Sequence, residues 1–333
     1  MLKAARCFAA ALAVSACASA NGTREVETAK DEKTCALTPA DHKWLTDAIA
    51  AWKPIEREFL GATAFSAQPP AILAFDQDCT YAFRIPEREY FASRPHETGF
   101  AAVPGPQTPI GPAAFQSDNR VVIALPSIWR AAGVESVVGI KALVTGIFLH
   151  EMSHTLDFAR RDAVLKPLQD AGDLPSQLDD DLVQETFGED EAYVAAFDAE
   201  RTVLFAAVNA PTDADARRLA GEALKMMRER RARWFIGERA ALSVHEDIFL
   251  ASEGFGQWVN YRYLRSAADT LPEAVVRGEV RDGGSNWLQD HGLALMLLAE
   301  RLLPDWKTHL HREPVWRAEA LLAAIAQRTT QNQ

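Results

Sequence analysis

The sequence predicts an α+β fold, mostly helical, in which a small N-terminal sheet is followed by a helical body. Three observations predict it. Strand-like runs are short and lie before Pro126. Beyond Pro126 apolar residues recur at helical spacing through several long segments. No internal repeat or low-complexity tract interrupts either part. With 333 residues, of which 48% are hydrophobic and 24% charged, the chain is long enough to bury a sizeable core.

The first 17 residues read as a targeting segment. Lys3 and Arg6 supply positive charge, and the apolar stretch Cys7 to Ala16 is too short to span a bilayer. Val14-Ser15-Ala16-Cys17 resembles a bacterial lipobox, which implies a lipid on Cys17 and attachment to the cell-envelope membrane. Ala18 after the cysteine points, by analogy, to the periplasmic face of the outer membrane. The alternative is cleavage after Ala18-Ser19-Ala20, which gives a soluble periplasmic or secreted protein. Residues 18–36 are mostly polar and charged and read as a tether to a domain spanning 37–333. Cys35 and Cys79 are the only cysteines beyond Cys17, and an oxidising periplasm permits a disulfide between them. Two unpaired thiols are the other reading.

Within the domain, residues 37–134 are expected to carry the sheet. Thr38-Pro39-Ala40-Asp41 is a helix start, with a cap, Pro in the first turn and an acid near the positive end of the dipole. That helix should run to about Leu60, with Trp44, Leu45, Ile49, Trp52 and Ile55 on its apolar side. Ala71 to Phe75 and Cys79 to Ile85 read as strands around the turn Asp76-Gln77-Asp78. Phe100 to Phe115, with four prolines and two glycines, reads as a loop, and Arg120 to Leu125 as a strand. Residues 135–333 read as helices: Val134 to Arg161 with a break near Gly139, Leu182 to Asn209, Asp213 to Phe235, Val244 to Arg265, and Gly292 to Leu303. The charged run from Lys225 to Arg233 reads most simply as a solvated face. A formal net charge of -11 repels phosphate backbones and argues against a nucleic-acid partner.

The chemistry is concentrated in His150-Glu151-Met152-Ser153-His154. Residues four apart on a helix project from one face, so the two imidazoles can grip one Zn²⁺. Glu151 stands beside the first of them, within reach of a water on the ion, and is the expected general base. The flanking residues Ile147, Phe148, Leu149, Thr155 and Leu156 are uncharged, as suits a buried helix.

This HExxH segment resembles the zincin metallopeptidases. The likeness implies zinc-dependent hydrolysis of a peptide or protein substrate, with an edge strand beside the helix that pairs with the substrate backbone. Arg120 to Leu125 is the expected strand. Arg160, six residues after His154, cannot bind zinc, so the metzincin branch is disfavoured. Ser252-Glu253-Gly254-Phe255-Gly256 resembles the Asn-Glu-Gly-Phe-Ala segment of gluzincin aminopeptidases, which implies Glu253 as third ligand. Glu253 stands 99 positions after His154, far more than in that family, so residues 182–235 are expected as an insertion able to wall the cleft.

Glu246, two turns earlier, is the rival ligand, with Glu185, Glu189 and Glu191 behind it. HExxHxxD is also similar to lethal-factor-like zinc peptidases, and Asp157 either hydrogen-bonds a ligand imidazole or lies exposed beside Arg160 and Arg161. In Trp287-Leu288-Gln289-Asp290-His291-Gly292, which looks like the aminopeptidase segment carrying an oxyanion-stabilising Tyr, Gln289 takes the tyrosine position. His291 is then the expected donor, with Tyr261 and Tyr263 as alternatives. The competing reading is a non-catalytic envelope lipoprotein, an interaction or assembly factor on a degenerate scaffold of this type.

Overall fold

The computed structural model describes residues 35–60, 70–84, 100–105, 111–117, 119–310 and 317–327. The targeting segment, Cys17 and almost all of the tether lie outside the described residues. The chain opens with α1 (Pro39–Leu60), capped as expected by Thr38, whose hydroxyl accepts from the Asp41 amide at 3.1 Å. Trp44, Leu45 and Trp52 are buried in the core, and Trp44 Nε1 donates to Thr145 Oγ1 at 2.9 Å, tying the helix to the one that bears the HExxH motif.

Among the described residues five strands follow: β1 (Ala71–Phe75), β2 (Cys79–Arg84), β3 (Phe100–Pro104), β4 (Ala114–Ser117) and β5 (Arg120–Ala124). They form one mixed sheet in the order β3-β2-β1-β5-β4, with β1 and β5 parallel and every other pair antiparallel. The turn between β1 and β2 is closed by Asp76, whose Oδ1 accepts from the amides of Asp78 and Cys79 at 2.8 Å. Cys35 and Cys79 lie at disulfide distance, with Cα atoms 5.9 Å apart, so the start of the domain meets the start of β2.

Two expectations are corrected here. The segment read as a loop contains β3 and the first half of β4, the two edge strands of the described sheet. Edge positions tolerate proline because the missing N–H faces away from the ladder. Arg120–Ala124, expected at the edge beside the motif helix, is instead interior, between β1 and β4. Its residues Val121 to Ala124 are all buried, the continuous apolar signature of an enclosed strand. The edge strand that packs against the motif helix is β4.

The helical body comprises α2 (Pro126–Ala131), α3 (Ile140–His154), α4 (Phe158–Asp170), α5 (Leu182–Phe187), α6 (Glu191–Val208), α7 (Asp213–Trp234), α8 (Leu242–Ala267), α9 (Glu273–Arg281), α10 (Trp287–Leu302), α11 (Trp306–Leu310) and α12 (Ala318–Gln327). The long helix expected from Val134 to Arg161 starts only after Gly139 and stops at His154, then turns at Thr155–Asp157 into α4. Leu182 to Asn209 is two helices parted at Gly188. Asp190 caps the second, accepting from the amides of Ala192 and Tyr193.

Helix α8 is the axis of the body. It packs on α3 along one side and α10 along another, and from His245 to Tyr261 all of it is buried. It meets α10 where Gly254 and Gly292 face each other. A Cβ on Gly254 would lie 2.4–2.7 Å from Gly292 backbone atoms, so only glycines allow this approach. The segment 182–235 packs mainly through α6 on α10 and α7 on α12, behind the first turns of α8.

The charged run on α7 is not simply a solvated face. Arg230 and Arg231 are buried between α6, α7 and α8. Arg230 binds Glu200 and Glu246, and Arg231 binds Glu246 and Asp247, at 2.7–3.1 Å. Exposed pairs such as Lys225–Glu229 do carry the expected solvated character.

Candidate metal centre

The last turn of α3 carries His150 and His154, both buried, with ring centroids 4.7 Å apart. Across from them α8 presents Glu253, also buried. His150 Nε2 lies 3.0 Å from His154 Nε2 and 3.0 Å from Glu253 Oε2, and His154 Nε2 lies 3.3 Å from Glu253 Oε1. Ligand atoms about 2.0–2.1 Å from a tetrahedral zinc stand about 3.3 Å from one another. The three separations, two of which run to different oxygens of Glu253, are close to that spacing. These three side chains form a buried group that can hold a metal ion.

The electrostatics follow from crowding these groups away from water. Burial opposes the charge on Glu253, but His154 and His150 outweigh it and hold the carboxyl well below the usual carboxylate range. Burial likewise opposes protonation of His150, and the hydrogen bond and charge of Glu253 reverse the balance, raising it. Glu151 is partly buried. Burial raises its pKa, with the two imidazoles pulling the other way.

Several supporting residues were not legible in the sequence. His154 Nδ1 lies 3.1 Å from Ser252 Oγ, which also accepts from Arg161 at 3.0 Å. A second Arg161 nitrogen donates to Gln116 of β4 at 2.9 Å, and the guanidinium sits 5.3 Å from the Phe249 ring centroid. Gln257, one turn after Glu253, donates to Gln289 at 2.5 Å, and Gln289 donates to Asp180 at 2.7 Å. Burial, and then the charge of Glu253, push the Asp180 carboxyl up to about 8. The acidic triplet Asp179-Asp180-Asp181 was the available signal for it.

Gly256 faces the His150 ring so closely that a Cβ there would lie 2.7–2.8 Å from the ring atoms. Replacing Gly256 by Ala should therefore displace the imidazole and weaken metal binding by at least about tenfold, while costing about 1–3 kcal/mol of stability as an overpacked core. Metal titration and a urea melt of the variant check both. An unchanged metal affinity would show that the ring has room to move.

The other expected site residues lie elsewhere. His291 is fully buried beside Phe197, with Nε2 3.2 Å from Glu200 Oε1 but without hydrogen-bond geometry. Burial, reinforced by Arg230, pushes it down to about 3, so it is a neutral core histidine behind the Arg230 network. The structure does not bring it to the triangle of ligand atoms. The helix start that carries it, at Trp287, points Gln289 toward Gln257 and Asp180 instead.

Glu246 is occupied by Arg230, Arg231 and Tyr193, which removes it as a rival ligand. Glu185, Glu189 and Glu191 are exposed. Asp157 is partly buried, neither in α3 nor on the imidazole: its Oδ1 has no hydrogen-bond partner, and Ser252 takes the place expected of it. Tyr261 is turned toward Glu273 and lines a separate cavity of about 720 Å³ with Arg262, Arg265, Arg277 and Glu300.

No protein-family model, no curated protein and no solved structure matches this chain.

Proposed function

We propose that this chain is a zinc-dependent hydrolase with a zincin-like architecture, a peptidase acting on a peptide or protein substrate in the cell envelope. The observation that carries the reading is the triangle of His150, His154 and Glu253 atoms, with Glu151 next in sequence to the first of them. Two imidazoles and one carboxylate are the donor set of hydrolytic zinc, which leaves a fourth position open. Zinc held by these three residues would supply an activated water near neutral pH and would polarise a carbonyl under attack. Glu151 takes the proton from the attacking water and passes it to the leaving amine.

The mixed sheet supports the same reading. Among the described residues β4 ends the sheet and packs on α3, which is where an extended peptide can add as a further strand. Arg161 fixes β4 to the metal centre through Gln116. A lipid on Cys17 would hold the domain at the membrane surface, close to envelope substrates.

Elemental analysis of the purified chain tests the proposal: one zinc per chain is expected, removed by a strong chelator and restored by added zinc. Replacing Glu253 by Ala should drop the content well below one per chain with the fold retained by circular dichroism. A chain that neither carries nor takes up zinc would overturn the reading and leave the non-catalytic alternative.

A further inference from the structure

A neutral imidazole has one N–H, and a nitrogen that faces a metal must be the one without it. For His154 to offer Nε2, Nδ1 must carry the proton and have an acceptor. Ser252 Oγ stands at 3.1 Å, on the residue next to Glu253. A serine in mid-helix ordinarily turns its hydroxyl back to the carbonyl one turn earlier. Here the oxygen also meets Arg161, which reaches across from α4 and donates to it at 3.0 Å. Arg161 is itself held at two further points, over the Phe249 ring of α8 and by Gln116 of β4. Hydroxyl oxygens have two lone pairs, enough for both donors.

We infer that Ser252 and Arg161 are positioning residues of the metal centre. Ser252 fixes the tautomer and tilt of His154, and Arg161 fixes Ser252 while joining the ligand helix to the edge strand. This rests on the zinc reading above. Partners of this kind, one shell out from the ion, typically contribute 10–100-fold to metal affinity. Neither residue touches the ion, so the effect is one of orientation.

The test is zinc affinity by chelator competition in wild type, Ser252→Ala, Arg161→Met and the double variant, with thermal melts alongside. Ser252→Ala should bind zinc roughly 10–100-fold more weakly. Arg161→Met should weaken it in the same direction, and the double variant should be no weaker than Ser252→Ala alone, because Arg161 acts through Ser252. A merely structural role would lower the melting temperature and leave the affinity unmoved. If wild type binds one zinc and Ser252→Ala stays within about twofold of it, or if the two losses add fully, this inference falls while the hydrolase reading stands. If wild type binds no zinc, both fall. Should Ser252→Ala not fold, Arg161→Met decides alone: unchanged affinity there overturns the inference.

Discussion

Replacing Glu151 by Gln should leave zinc in place and remove nearly all turnover. The amide keeps the size and polarity of the carboxyl and touches none of the three ligand atoms, so the metal content should stay at one per chain. What is lost is the ability to accept a proton. General-base catalysis typically supplies about 10²–10⁴-fold, and kcat should fall by at least that much with KM little changed. The position of Glu151 suits the role. Burial raises its pKa above the ordinary carboxylate value, and the adjacent imidazoles act the other way. Turnover of a peptide the wild type cleaves, measured beside zinc content, gives the answer. Full activity in the zinc-loaded variant would exclude Glu151 as the base.

Replacing Glu246 by Ala should cost about 3–5 kcal/mol, because it removes the carboxylate that two buried guanidinium groups share and leaves each of them with fewer partners. Glu246 is completely buried, and its two oxygens meet Arg230 at 2.7 Å and Arg231 at 2.8 Å. Against a typical total stability of about 5–15 kcal/mol this is a large fraction, and the melting temperature should fall by roughly 10 °C. Burial raises the pKa of Glu246, but Arg230 and Arg231 overcome this and hold it down at about 2, against an ordinary 4.5. A lowered carboxylate contributes stability that is complete above the unfolded value and is lost as pH falls through the folded one. The stability difference between wild type and Glu246→Gln should therefore shrink as pH drops from 4.5 toward 2. A difference that is flat with pH would mean that Glu246 is not held ionised by the two arginines. Since Glu246 lies seven residues before Glu253 on the same rigid helix, its loss should also loosen the metal centre.

The parts of this architecture written in local spacing were legible. His150 and His154 needed only the four-residue period of a helix, and Glu253 was marked by its small and aromatic neighbours. The Thr38 cap and the Asp76 turn are likewise short-range chemistry. The parts that depend on distant partners were not. Arg230 and Arg231 look solvated beside Arg228 and Arg233, and only the approach of Glu200 and Glu246 from neighbouring helices makes them a core. His291 sits close to a motif-like glycine, yet the rotation of α10 turns its ring toward Phe197. β3 and β4 are short and flanked by proline, and among the described residues each pairs with a single neighbouring strand, a contact that local sequence does not encode. Ser252 and Arg161, 91 positions apart, carry no joint signal in the chain at all.

The two glycines that flank Phe255 set how far the cage can stretch. One lets α8 rest against the backbone of α10, and the other lets it rest against an imidazole of α3, so the helix is wedged on both sides. Calcium and magnesium demand six or more oxygen neighbours, and here they meet two ring nitrogens and one carboxylate. On the metal reading, a donor set of two imidazoles and one carboxylate should keep the chain selective for the transition-metal series in alkaline-earth salts.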